Sequence, residues 1–125
     1  MRKLVSSGSP FEKPIGFSRA CRIGNTIAVA GTAPIKDGKT FAPDDLYTQT
    51  KYVLQLQLDT LAEAGGNIND VIRTRVMLTD ISRWEEAAKA HGEIFGEVRP
   101  ASTFVEVKGL INSEWLVEIE MDACL

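Results

Sequence analysis

In "NTIAVAG" (Asn25 to Gly31) apolar side chains alternate along the chain, the two-residue period of a strand with one buried face. The Ile23-Gly24-Asn25 turn ahead of it predicts a hairpin with a strand near Ser18 to Arg22. After the loop "APIKDGKTFAPDD" the period changes. Leu46, Thr50, Val53, Leu54, Leu58 and Leu61 return every three or four positions, the stripe of a helix that Asp44 caps and Gly65-Gly66 stops. "VIRTRVMLTD" alternates again, predicting a strand with Ile72, Thr74, Val76 and Leu78 on one face and Val71, Arg73, Arg75 and Met77 on the other. "SRWE" reads as a capping box between Ser82 and Glu85. It opens a helix from about Arg83 to Gly96 with Trp84, Ala87, Ala88, His91, Ile94 and Phe95 inside. "STFVEVK" (Ser102 to Lys108) and "WLVEIEMDA" (Trp115 to Ala123) are closing strands joined by the turn-forming "GLINSE". The order β-β-β-α-β-α-β-β does not alternate strictly, so the expected class is α+β, a mixed sheet with both helices on one face.

That layering leaves a face without cover. In the last strand Glu118, Glu120 and Asp122 alternate with Val117, Ile119, Met121 and Ala123, placing three carboxylates along one side about 7 Å apart. They form either a solvated face paired with Arg73 and Arg75, or a site in which one carboxylate occupies a pocket. The expected open face carries Arg73, Arg75, Ser102, Phe104 and Glu118, with Met77 and Trp115 or Leu116 adding apolar surface. Mixed surface of this kind predicts contact with further copies of the chain, and clefts between copies that bind small molecules.

Composition narrows the partners. The 125 residues, 44% hydrophobic and 25% charged, fit one domain over residues 1–125. A net charge of −3 with scattered Lys and Arg provides no stripe to neutralise phosphates, which argues against nucleic acid. No apolar run approaches the roughly 20 residues of a membrane span, and the basic "MRKLVSSGSP" lacks an apolar core after it, so no membrane partner and a cytosolic setting are expected. Cys21 and Cys124 are not spaced as a redox or metal motif and are read as reduced, partly buried thiols. With His91 as the single histidine no metal set is recognisable, and Gly65-Gly66 is a helix stop, not a phosphate-cradling loop. No cofactor is implied.

Three blocks carry a resemblance over nearly the whole chain, from about Lys13 to Ala123: "PIGFSRACRIGNTIAVAGTAP", "QTKYVLQLQLDTLAEAGGNINDVIRTRVMLTDISRWEEA" and "RPASTFVEVKGLINSEWLVEIEMDA". In order and spacing they resemble the reactive intermediate/imine deaminase (RidA) family, also called YjgF-like or L-PSP endoribonuclease. The resemblance implies a chorismate-mutase-like α+β fold, a homotrimer with ligand clefts between subunits, and hydrolysis of reactive enamines and imines to keto acids and ammonia. It also implies an arginine that clamps the substrate carboxylate through a bidentate fork, and at that position this chain has Ser102. One neutral hydrogen bond in its place weakens binding of a 2-imino acid by on the order of 2 to 5 kcal/mol. A tyrosine of the family's pocket is matched by Phe17 and an asparagine by Ala88, while the loop before Pro100 is shorter than usual.

What the resemblance retains is Glu118, matching the acid that positions the attacking water, and the Gly31 turn with Ala30 and Thr32, whose backbone lines the pocket. Arg19 and Arg99 are the candidates to replace the missing positive charge. Trp84 and His91 lie seven residues apart on one helical face; each is either a packed residue or part of a site, as is Phe104 on its strand. Three readings follow. One is a divergent deaminase or hydrolase with water activated at Glu118. The second is a non-catalytic small-molecule binding protein without the carboxylate contact. The third, ribonuclease action or translation inhibition, finds no basic surface or histidine pair and ranks last.

Overall fold

The computed structural model describes all 125 residues. Strand β1 (Arg2–Val5) and the one-turn helix α1 (Glu12–Ile15) precede the hairpin of β2 (Ala20–Ile23) and β3 (Thr26–Thr32). A small hairpin, β4 (Ile35–Lys36) with β5 (Lys39–Thr40), then leads to helix α2 (Leu46–Glu63). Strand β6 (Val71–Leu78), helix α3 (Trp84–Phe95), β7 (Ala101–Glu106) and β8 (Val117–Cys124) complete the chain. The six-stranded sheet has the order β1-β2-β3-β8-β6-β7, antiparallel except for the β6–β7 pair. Those two run parallel because α3 carries the chain back across the sheet. The mixed α+β architecture predicted from the pattern is the one observed.

The two long helices share one face of the sheet and bury the core against it. Ile27 and Val29 of β3, Val76 and Leu78 of β6, and Val117, Ile119 and Met121 of β8 pack under Val53, Leu54 and Leu61 of α2 and Ala87 and Phe95 of α3. The other face carries the alternate residues, among them Ala28 and Ala30, Arg73, Arg75 and Met77, and Glu118, Glu120 and Asp122. There Arg75 pairs with Glu120 at 2.9 Å and Asp122 at 3.5 Å, as the ion-paired reading of these carboxylates expects. Glu118 stands opposite Met77 instead.

Two bulges break the simple alternation. Between Val71 and Arg73 an extra residue enters β6, so Val71 joins the core while Ile72 is 55% exposed, the reverse of the predicted faces. Between Val29 and Thr32 another enters β3, turning Thr32 inward. The register of β7 brings a third correction. Ser102 lies opposite Thr74 and Phe104 opposite Val76, so both belong to the helix-covered side, not to the open face with Arg73 and Glu118.

Helix ends also differ in detail from the prediction. Asp45, not Asp44, caps α2 by accepting from the amide of Thr48. Ser82 makes no capping box: Asp80 accepts from its amide and hydroxyl in a 3₁₀ turn, and α3 starts at Trp84. Trp84, predicted inside, is 47% exposed. Both cysteines are free; Cys21 is half-buried and Cys124 exposed. No helix is long and apolar enough to cross a membrane.

Two buried glutamines tie α2 to the sheet. Gln49 accepts from the amide of Leu116 and donates to the carbonyls of Ala42 and Glu114. Gln57 donates to the carbonyl of Ile119, the residue paired with Thr32 at the bulge, while its own Oε1 has no partner.

Candidate functional site

The bulge in β3 determines the surroundings of Glu118. Its extra residue carries Gly31 past β8 so closely that a Cβ there would lie 2.8 Å from Glu118 Oε2 and 3.3 Å from Cδ. Only glycine allows that approach, and the reason is space, since Gly31 is not among the residues with positive φ. Arg19 comes in from the chain ahead of β2. Its Nη2 donates to the carbonyl of Gly31 at 2.9 Å, its Nη1 makes a long 3.5 Å contact with Thr32 Oγ1, and its guanidinium lies 5.3 Å from the Phe17 ring centre. Thr32 in turn donates to the carbonyl of Ala30, and Ala30 donates its amide to Arg19 O. Phe17, Arg19, Ala30, Gly31, Thr32 and Glu118 therefore form one group.

Its electrostatics are those of a half-buried acid beside a half-buried base. Burial pushes the Glu118 carboxyl above the ordinary carboxylate range; Arg19 opposes the shift and Glu120 adds to it. Burial likewise lowers Arg19, held in its charged form by Glu12 and then by Glu118. The Nε of Arg19 is buried without a partner. Beside the group, Phe17 and Ala30 line a shallow 340 Å³ depression whose other wall is Arg75, Glu120 and Asp122.

His91, Ser102 and Phe104 belong to a second group, on the helix side of the sheet. Thr74 is fully buried, and its hydroxyl bridges Ser102 Oγ at 2.7 Å and His91 Nε2 at 2.8 Å. The His91 ring lies 4.8 Å from Phe95 and 5.6 Å from Phe104 between ring centres. Burial lowers the His91 pKa, so the imidazole is neutral near pH 7. Ala88 and Trp84 precede His91 by three and seven residues on the same helix, on the same face. Ser102 itself is exposed. Thr74 was legible as a strand residue facing inward, but the signal for its role was a hydroxyl on the strand beside Ser102, facing the helix of His91.

Arg99 joins neither group. It sits in a left-handed turn (φ 52°) after α3, exposed, its amide bonded to the carbonyl of Phe95. Of the two cations considered for the position where the resemblance implies an arginine, Arg19 stands near Glu118, and the side-chain partner of Ser102 is Thr74 rather than either of them. Two strand spacings, about 10 Å, separate β8 from β7, and Glu118 and Ser102 face opposite sides of the sheet. Within one chain a small metabolite cannot touch both.

A family model described as Endoribonuclease L-PSP matches residues 11–125. A crystal structure of a Mycobacterium tuberculosis protein, a member of the YjgF/YER057c/UK114 family, superposes with a TM-score of 0.91 at 45% identity, covering 100% of both chains. A RutC family protein of Pyrococcus abyssi is 40% identical over 98% of this chain and 96% of its own. The 3-aminoacrylate deaminase RutC of Acinetobacter baylyi is 31% identical over 93% and 91%.

Proposed function

The chain belongs to the endoribonuclease L-PSP family, also called YjgF-like or RidA, and on that footing we propose that it hydrolyses small enamine or imine metabolites in clefts between the subunits of a homotrimer. The observation that carries the reading is Glu118, a half-buried carboxyl of raised pKa against the bare backbone of Gly31, with Arg19 beside it. Such a carboxyl titrates closer to neutral pH than an exposed one and can both take and return a proton. A relative that deaminates 3-aminoacrylate indicates the substrate class.

The chemistry needs one acid–base group. An enamine tautomerises to its imine, Glu118 protonates the imine nitrogen, and water adds to the carbon of that iminium as the Glu118 carboxylate takes a proton from it. Glu118 then returns this proton to the carbinolamine nitrogen and takes the hydroxyl proton as the C–N bond breaks, leaving a carbonyl and ammonia. Arg19 keeps positive charge next to the site, and the trimer brings Ser102, Ala88, His91 and Phe104 of one subunit toward Glu118 of another. The single domain of residues 1–125 does this without a cofactor, in a cytosolic setting, with neither nucleic acid nor membrane as partner.

Ser102 favours a second reading: with a neutral hydroxyl where the family's resemblance implies an arginine, the same clefts bind a small molecule without turning it over. One assay separates the two. Enamine generated from serine or threonine by a dehydratase, or 3-aminoacrylate, is trapped as semicarbazone with and without the protein. Accelerated loss of the trappable species, abolished in Glu118→Gln, supports hydrolysis; a rate equal to buffer leaves the binding reading. Light scattering that finds only a monomer at micromolar concentration would remove the intersubunit cleft.

A further inference from the structure

We propose that Ser102, Thr74 and His91 form a reactive site of their own, in which the Ser102 hydroxyl accepts the acyl group of a small uncharged ester. Three side chains from three elements, β7, β6 and α3, line up as hydroxyl, hydroxyl and imidazole with spacings of 2.7 and 2.8 Å. The end of this chain of bonds is accessible and its middle is fully buried, so a proton leaving Ser102 has a defined path inward. Thr74 has one hydroxyl proton and cannot donate to both neighbours. As it stands Thr74 donates to Ser102 Oγ and accepts from His91 Nε2; with the ring proton on Nδ1 and both hydroxyls turned, the same bonds run from Ser102 through Thr74 to Nε2, which makes Thr74 a relay.

The acylation step closes as follows. Ser102 Oγ bonds to the ester carbonyl carbon as its proton passes to Thr74 Oγ1, while the proton of Thr74 passes to His91 Nε2. The tetrahedral adduct expels the alkoxide or phenolate, which takes a proton from the imidazolium by way of Thr74 or from water. Water then hydrolyses the acyl-serine, restoring Ser102 and releasing the acid. The amide of Val107 donates to Leu78 O, so by strand alternation the amide of Ser102 points to the open edge of β7, available to the oxyanion.

The surroundings suit an uncharged substrate. Phe95 and Phe104 flank the imidazole, and burial rather than a charged neighbour is what moves its pKa. On α3 Glu93 is engaged with Tyr47 and Lys51 of α2; on β7 Glu106 accepts from the amide of Ile81; Arg73 and Arg75 of β6 face the other side of the sheet. Burial alone lowers the pKa of His91, keeping it a base at neutral pH. A carboxylate-bearing ligand finds no cation here, whereas an ester or similar acyl compound needs none.

The test uses the full chain, p-nitrophenyl acetate and a fluorophosphonate probe, with the modified residue located by peptide mass spectrometry. The expected result is modification at Ser102 and a rate that falls on the order of 10² or more in His91→Gln, which can still hydrogen-bond Thr74 but cannot take the proton. Thr74→Val should lower the rate equally and Thr74→Ser restore it, with thermal melting confirming that each variant is folded. The rate should fall with pH through the His91 pKa, below 6.5, and lose that dependence in His91→Gln. Probe found on other residues only, or Ser102 modified at the same rate in folded His91→Gln and Thr74→Val, overturns the proposal. Enamine loss and ester hydrolysis are followed on the parent protein with different substrates and different products, so failure here and failure of the enamine assay are separate results.

Discussion

Replacing Gly31 by alanine tests whether the position of the Glu118 carboxyl is what the β3 bulge provides. The new Cβ would lie 2.8 Å from Oε2 where ordinary contact begins at 3.4 Å, so the carboxylate must retreat by about 0.6 Å. The fold has reason to tolerate this. Gly31 is outside the positive-φ set, so alanine meets no backbone strain there, and it stabilises through the unfolded chain by about 0.4 to 1 kcal/mol. Turning the Glu118 side chain off its rotamer costs about 0.5 to 1.5 kcal/mol, leaving net stability within about 1 kcal/mol of the parent. Activity has no such compensation: where 1 Å of misplacement costs on the order of 10²-fold in rate, a retreat of about 0.6 Å costs on the order of tenfold. The measurement is the semicarbazone-trapping rate beside a urea unfolding curve. A rate lowered about tenfold with stability within about 1 kcal/mol of the parent is expected; full activity in a folded Gly31→Ala protein refutes the reasoning.

Further expectations rest on other groups. Because burial raises the Glu118 pKa, enamine hydrolysis that needs its carboxylate should decline as pH falls through a value above the ordinary 4.5, and a pH–rate profile with its acid limb at or below 4.5 would contradict this. Glu12 accepts from the amide and hydroxyl of Ser7, which lowers its pKa to about 2. Its contribution to stability is therefore full above 4.5 and lost between there and 2, a slope in acid melting curves that Glu12→Gln should flatten. Gln49→Leu strands the amide of Leu116 and two carbonyls, and should destabilise by roughly 2 to 4 kcal/mol in urea titration. Gln57→Leu exposes one carbonyl but removes an unpartnered oxygen, and should cost about 1 kcal/mol or less; equal losses for the two would show this accounting to be wrong.

Periodicity made the layers legible because burial on one face leaves a direct trace. Ile27 and Val29, Val76 and Leu78, and Val117 to Ala123 all appear where alternation places them. Bulges leave no such trace. An inserted residue at Val71–Arg73 or Val29–Thr32 is a matter of pairing with another strand, so Ile72 was assigned inward and the close approach of Gly31 to Glu118 had no local signal. Register misled in the same way at β7: Ser102 and Phe104 occupy the side set by their parallel pairing with Thr74 and Val76, a relation across more than twenty residues. At α3, Asp80 competed successfully with Ser82 for the capping geometry, since its carboxylate reaches both the amide and the hydroxyl of that serine.

The sheet order has a chemical consequence for the proposed assembly. Glu118 and Arg19 constitute an ionisable half, and Ser102, Thr74 and His91 a half that is uncharged at neutral pH, on opposite faces and about 10 Å apart in strand spacing. In a closed ring of identical subunits the ionisable half of one copy can meet the neutral half of the next, because heterologous contacts join different patches of the same surface. A cleft built this way would have acid–base chemistry at one wall and neutral hydroxyl groups at the other. A carboxylate would have to face the Arg19 wall, where Glu118 must be protonated to limit repulsion, whereas a neutral amide or ester end can rest against Ser102 at any pH. A serine at position 102, where the family resemblance implies an arginine, would thus change which end of a ligand each wall accepts, while the acid–base role proposed for Glu118 stays as it is.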